Sequence, residues 1–210
     1  MPLSRRLVLA SAAALPLAAG RRAHAQGAAP AATPAAPTLT PRTMGDPNAK
    51  VHVEEYFSLT CTHCAAFQKE TFPQVKKNLI DTGKVLYEWH DFPLDQVALT
   101  AAVIARALPP DRYEPFINVL LTTQDRWAFA RDVNSTEELA KLAALAGMPR
   151  STFDAAVSDE GAKDAILAAQ DAAAKAHDVN STPTFLINGK PLVGAVDYAT
   201  FLKAVDAATA

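Results

Sequence analysis

The sequence predicts an α/β fold interrupted by an all-helical block, and three observations predict it. A strand-helix-strand run spans Val51 to His90. Alanine- and leucine-rich helical periodicity without strands follows from Asp95 to about Asp178. Two short strands around Asn188-Gly189 and a closing helix then return the chain to its first pattern.

Met44-Gly45-Asp46-Pro47-Asn48 reads as a turn, and Val51 to Leu59 as the first secure strand. The residues after Cys64 contain no helix breaker until Pro73, which should kink the helix before Asp81-Thr82-Gly83 ends it. Lys84 to His90 is the second strand. A strand-helix-strand crossover of this length implies parallel pairing and a right-handed connection. Breaks at Pro109-Pro110, at Gly147-Met148-Pro149 and from Asp159 to Gly161 divide the helical block into four or five helices. Ser135-Thr136-Glu137-Glu138 has the form of a capping box. Arg126 to Val133, with Trp127 and Phe129, reads as an aromatic-rich loop packed on a neighbouring helix. Thr184 to Ile187, an Asn188-Gly189 turn and Pro191 to Val193 form an antiparallel hairpin, and Asp197 caps the last helix.

Both cysteines of the chain lie in Cys61-Thr62-His63-Cys64, where the first strand meets its helix. Free backbone N–H groups and the positive end of the helix dipole stabilise a thiolate there, and a thiolate is the nucleophile of thiol–disulfide exchange. A dithiol/disulfide redox centre is the expectation. An imidazolium at His63 would add positive potential beside Cys61. A structural zinc site wants four ligands, and no second cysteine pair supplies them. His52, His63, His90 and His177 leave a Cys/His metal carrier as the alternative from a different class. Haem attachment requires histidine where Ala65 stands. A purely structural disulfide here would close almost no loop.

Ser4-Arg5-Arg6 opens a positively charged segment, an apolar run continues to Ala19, and Ala23-His24-Ala25 has the small-x-small form of a cleavage site. Residues 1–25 are therefore expected to be a signal peptide. The arginine pair suggests the twin-arginine route, and the destination is the periplasm, where disulfides persist. Removing four arginines turns a formal charge of −2 into about −6, which argues against a nucleic-acid partner. Residues 26–41, rich in alanine and proline, are expected to be a disordered tether. The remaining residues suit one compact domain, and none of their apolar runs is long enough to cross a bilayer, so a soluble product is expected.

The order of elements is that of a thioredoxin fold with an inserted all-helical domain, at residues 42–94 and 178–210 with the insertion at 95–177. Three segments then carry a family resemblance: Phe57-Ser58-Leu59-Thr60-Cys61-Thr62-His63-Cys64-Ala65-Ala66-Phe67, Asp91-Phe92-Pro93-Leu94-Asp95, and Ser181-Thr182-Pro183-Thr184-Phe185-Leu186-Ile187-Asn188-Gly189. Together they resemble the DsbA-type thiol:disulfide oxidoreductases of proteobacterial periplasms. The resemblance implies that Cys61 is the exposed attacking cysteine and Cys64 the buried partner that resolves mixed disulfides. It implies a cis-proline at Pro183, with the backbone of Thr182 free to pair with a substrate strand. It places the Glu55 carboxylate beneath the pair as a proton relay, with Glu54 on the opposite face.

The implied activity is donation of the Cys61–Cys64 disulfide to exported proteins with free thiols. No organic cofactor is implied, reoxidation falls to a quinone-linked membrane partner resembling DsbB, and the chain is expected to be a monomer. A disulfide isomerase or reductase kept reduced by a membrane electron donor is the alternative. Two departures bear on direction: Thr62 stands where the best-known oxidases have proline, and Thr182 where they have valine. Ala107 and Ala155 occupy positions at which several relatives carry a second cysteine pair.

Overall fold

A computed structural model describes residues 39–209. The expected signal peptide, and the expected tether up to residue 38, lie outside the described residues. Five strands form one mixed sheet: β1 (Arg42–Gly45), β2 (Val51–Phe57), β3 (Val85–Asp91), β4 (Thr184–Ile187) and β5 (Lys190–Val193), in the spatial order β1-β3-β2-β4-β5. As expected, β2 and β3 run parallel. The crossover between them is α1 (Thr62–Glu70), α2 (Phe72–Val75) and a π-helical turn (Lys76–Ile80), with Pro73 in the first turn of α2. The remaining strand pairs are antiparallel.

Alternation along the strands sorts side chains onto two faces. Val51, Val53, Glu55 and Phe57 of β2 are buried, as are Val85, Tyr87, Trp89 and Asp91 of β3. This face is packed with aromatic rings. Phe67 of α1 lies 4.6 Å from Phe185 of β4, which meets Phe201 of α9 (Tyr198–Thr209) edge-on at 5.4 Å. The other face carries His52, Glu54, Tyr56, Glu88 and His90. Tyr56 donates to Glu54 at 3.0 Å, and the His52 ring lies 3.0 Å from Glu88.

The helical block comprises α3 (Gln96–Arg106), α4 (Pro110–Thr122), α5 (Gln124–Trp127), α6 (Ser135–Leu145), α7 (Arg150–Val157) and α8 (Glu160–His177). These are six helices where the sequence suggests four or five. The additional one, α5, falls partly in the expected aromatic loop. It forms because Trp127 turns inward, fully buried, and donates its indole N–H to the Leu120 carbonyl at 2.8 Å. Phe129 remains half-exposed.

The capping box is displaced by one residue. Asn134, not Ser135, is the N-cap of α6, its Oδ1 accepting from the N–H groups of Thr136 and Glu137 at 2.9 and 3.2 Å. The short amide reaches two orphan donors at once. Glu137 is engaged by Arg150 instead. Asp197 caps α9 as expected, accepting from Thr200 N–H at 2.8 Å. Asn188 and Gly189 take φ of 46° and 78°, the positive pair that a tight two-residue hairpin requires.

β1 corrects the sequence reading, because Met44 and Gly45 lie in a strand and not in a turn. Four residues of mixed polarity carry no strand pattern of their own. Pairing with β3 makes them a strand, and Arg42, nearly buried, anchors it by donating to the Arg106 and Leu108 carbonyls. Gly45 has φ +112°, and a Cβ there would stand 2.3 Å from the Val85 carbonyl oxygen. Gly45→Ala is therefore expected to cost about 1–3 kcal/mol from backbone strain alone. For a domain of this size each kcal/mol lowers the melting temperature by roughly 2–4 °C. An unchanged melting temperature would contradict this reading of β1.

Candidate active site

The two cysteines sit where β2 gives way to α1. The chain leaves the strand at Phe57, and Cys61 N–H donates to the Ser58 carbonyl at 3.1 Å, closing a tight loop. Cys61 is the N-cap of α1, extended at φ −79° and ψ 119°. Its Sγ accepts from the Cys64 N–H at 3.4 Å, where serine or aspartate would place an oxygen. No acidic side chain occupies the first turn of α1 to compete for those donors.

The loop is tied down from several directions. Thr60 donates its hydroxyl to Asp95 at 2.7 Å, and the other oxygen of Asp95 caps α3 by accepting from Ala98 N–H at 2.7 Å. Ser58 Oγ accepts from Leu94 N–H at 3.3 Å. Gln124 at the start of α5 donates its side-chain amide to the Leu59 and Cys61 carbonyls at 2.8 and 3.0 Å. Across the pair, the Thr182-Pro183 bond is cis and Pro183 is buried. The Thr182 carbonyl accepts from the Cys61 thiol at 3.4 Å.

Cys61 is less open than expected: it is 7% exposed, and Cys64 is fully buried. The Thr182 carbonyl lies 3.4 Å from Cys61 Sγ, and the Gln124 amide bonds its backbone carbonyl. Both cysteines are thiols in this structure. Their chemistry is nevertheless unequal. Hydrogen bonding from the Cys64 side chain, aided by the Thr182 side-chain hydroxyl and by the N–H groups of Cys64 and His63, outweighs burial and lowers the Cys61 thiol to about 5. Burial and the bond to Cys61 push the Cys64 thiol up.

His63 is exposed on α1, and its backbone N–H is among the groups that lower the Cys61 thiol. Glu55 is 2% exposed on the packed face of β2, and its Oε2 accepts from Tyr87 OH at 2.8 Å. Burial raises its carboxyl to about 7 even against that bond. Its charge in turn raises the Cys64 thiol. Glu54 lies on the opposite face, as expected, beside His90.

A carboxyl raised by burial costs nothing below its unfolded pKa, and costs progressively more stability as pH rises from about 4.5 to about 7. At about 1.36 kcal/mol per pKa unit the full cost is roughly 3 kcal/mol. A Glu55→Gln variant is therefore expected to gain on the wild type across that interval and to hold its advantage above it. Parallel melting curves that never diverge with pH would contradict the burial of an ionising Glu55.

Sequence reasoning singled out Cys61, His63, Cys64, Glu55, Thr182 and Pro183, and the structure brings their backbones around one junction. It missed Tyr87, Asp95 and Gln124. The alternation of β3 marked Tyr87 as inward-facing, but nothing local said that a carboxylate would meet it. Among the described residues no group of three or more His, Cys, Asp or Glu side chains is placed to hold a metal. His52 and His90 are engaged with Glu88 and Glu54 across the sheet from Glu55.

The β-α-β and β-β-α halves, the helical insertion between them, and a cysteine pair at a helix N-terminus facing a cis-proline together define a thioredoxin-fold dithiol protein. The chain belongs to the thioredoxin family: a family profile described as thioredoxin matches residues 37–207. Within that family it is DsbA-like. It is similar to a solved variant of alpha-DsbA1 from Wolbachia pipientis with two cysteines replaced by alanine, at 30% identity and a TM-score of 0.76. That similarity covers 82% of this chain and 92% of the other. It is 26% identical to the thiol:disulfide interchange protein DsbA of Bordetella parapertussis over 178 residues, 80% of this chain and 79% of that protein. A protein of Rickettsia prowazekii, provisionally named a protein-disulfide oxidoreductase, is 33% identical over 147 residues, 70% of this chain and 53% of its own length. The chain thus spans about half the length of the rickettsial relatives it matches.

Proposed function

We propose that this protein is a periplasmic thiol:disulfide oxidoreductase that donates the Cys61–Cys64 disulfide to exported proteins. The observation that carries the reading is the inequality of the two thiols, with Cys61 lowered to about 5 and Cys64 buried and raised. A client thiolate attacks Cys61 Sγ, the Cys61–Cys64 bond breaks, and Cys64 leaves and takes up a proton. Glu55, raised to about 7, is a suitable donor for it. A second client thiolate then attacks the client sulfur of the mixed disulfide and expels Cys61 as a stabilised thiolate. The client loses two electrons and the pair gains them. The cysteine pair is itself the electron carrier, and no organic cofactor enters the balance.

Thr182 supports this reading by presenting its carbonyl to Cys61, the position from which an extended client strand would be held. The expected signal in residues 1–25 supports export. Among the described residues no helix is long and apolar enough to cross a membrane. The dithiol left after each turnover needs an oxidant, and a quinone-linked membrane protein resembling DsbB is the class that would supply it.

Trapping thiols in intact cells tests the direction. A pair found mostly oxidised supports donation, whereas a pair held reduced makes the protein an isomerase or reductase. Mixing the purified disulfide form with a reduced, unfolded client tests the chemistry itself. If the client gains no disulfides and the pair stays oxidised, the reading fails.

A further inference from the structure

Gln124 is a polar side chain buried at the junction of the helical insertion with the redox loop. Its amide nitrogen donates to Leu59 O at 2.8 Å and to Cys61 O at 3.0 Å, so both protons of the amide are spent on carbonyls flanking Thr60. The Cys61 carbonyl also accepts the first intrahelical bond of α1, from Ala65 N–H at 3.1 Å. Both of its lone pairs are thereby directed, which fixes the plane of the peptide that joins Cys61 to α1.

The turn that carries Gln124 is itself held firmly. Thr123 N–H and Ala128 N–H bond to Val119 O and Gln124 O at 3.1 and 2.9 Å, and the buried Trp127 pins the turn to Leu120. A second amide link joins the insertion to α1 further along: Gln68 Nε2 donates to Asn118 Oδ1 at 3.2 Å, more than a turn beyond Cys64. That link ties the same two parts of the molecule without touching the loop.

We propose that Gln124 is a positioning residue for the redox pair: by gripping the Leu59 and Cys61 carbonyls it holds Cys61 Sγ over the N–H groups that begin α1. The inference rests on the proposed exchange activity for its purpose but not for its geometry. Donors stabilise a thiolate only where they point at it, and here the Cys64 N–H meets Cys61 Sγ at 3.4 Å. Loss of the clamp lets the loop carbonyls turn, and the sulfur moves off its donors. The insertion then has a role in the chemistry beyond covering the pair.

The test compares Gln124→Met, which keeps the length of the side chain without its donors, with Asn118→Ala, which breaks the second link only. Thiolate absorbance of the reduced proteins is followed against pH, with circular dichroism and melting curves of each. Gln124→Met is expected to raise the Cys61 midpoint by about one pH unit or more, a tenfold loss of thiolate stabilisation, while Asn118→Ala lowers the melting temperature and leaves the midpoint in place. An unmoved midpoint in Gln124→Met, or an equal rise in both variants, overturns the proposal. A further measurement needs no variant. In nitrogen–proton correlation spectra of the reduced wild type, the Gln124 side-chain amide signals should shift with the Cys61 ionisation near 5. Signals that stay fixed through that ionisation overturn the proposal even if Gln124→Met does not fold. All of these readouts use the protein without a client, so a failed exchange assay would strike the proposed function and leave the positioning role standing.

Discussion

Replacing Cys61 with alanine is expected to abolish exchange, lowering the rate by roughly 10³-fold or more, the scale on which removal of a nucleophile acts. Replacing Cys64 is expected to do something different. The Cys61 thiolate of Cys64→Ala still attacks a client disulfide, but no thiol remains to resolve the product, so mixed disulfides accumulate and can be seen as adducts on non-reducing gels. The same asymmetry should appear in the unmodified protein. At pH 6 a thiol with its midpoint at about 5 is about nine-tenths thiolate, whereas an ordinary cysteine near 8.5 is well under about 1% ionised. A less basic thiolate is also a weaker nucleophile, which takes back part of the advantage. The net expectation is alkylation of Cys61 about tenfold faster than an ordinary cysteine, with Cys64 hardly modified. Equal labelling of the two would overturn the roles assigned to them.

The reduced protein is expected to melt at a higher temperature than the oxidised protein near neutral pH. The folded thiolate lies at about 5, below the unfolded value of about 8.5. A depressed acid stabilises the fold fully above the unfolded pKa, and that stabilisation is lost as pH falls through the folded one. At pH 7 about 3 kcal/mol of it remains on the scale of about 1.36 kcal/mol per pKa unit. A disulfide spanning two residues restricts the unfolded chain by only about 1–2 kcal/mol. The thiolate therefore wins near neutrality, and the order should invert on acidification through about pH 6, where the remaining thiolate stabilisation falls to the size of the disulfide contribution. Paired melts of the two redox forms across pH 4 to 8 check this. A disulfide form that is the more stable at every pH would mean that the helix start does not stabilise Cys61, and would favour the reductase reading.

Elements whose signal is local were legible in the sequence. Cys61-Thr62-His63-Cys64 at a strand-to-helix junction, the positive-φ Asn188-Gly189 turn, the Asp197 cap and the strand alternation that separates Glu54 from Glu55 each depend on residues within a few positions. Sequence order then carried those pieces to a thioredoxin fold with a helical insertion, because short connections and a parallel crossover leave few alternatives.

What the tertiary structure decided depends on distant partners. β1 exists because β3 offers it a free edge, and Arg42 reaches carbonyls 64 and 66 residues away. Tyr87 meets Glu55 across 32 residues, and burial among aromatic rings, not any local pattern, raises that carboxyl. Gln124 bonds to Cys61 across 63 residues, where its place among the polar residues between Leu121 and Trp127 gave no hint of its role. The sequence by itself determined that both cysteines of the chain meet at one helix start. How far each is covered, and which side chains hold them in place, was decided by packing, since burial and hydrogen-bond direction are properties of segments brought together by the fold.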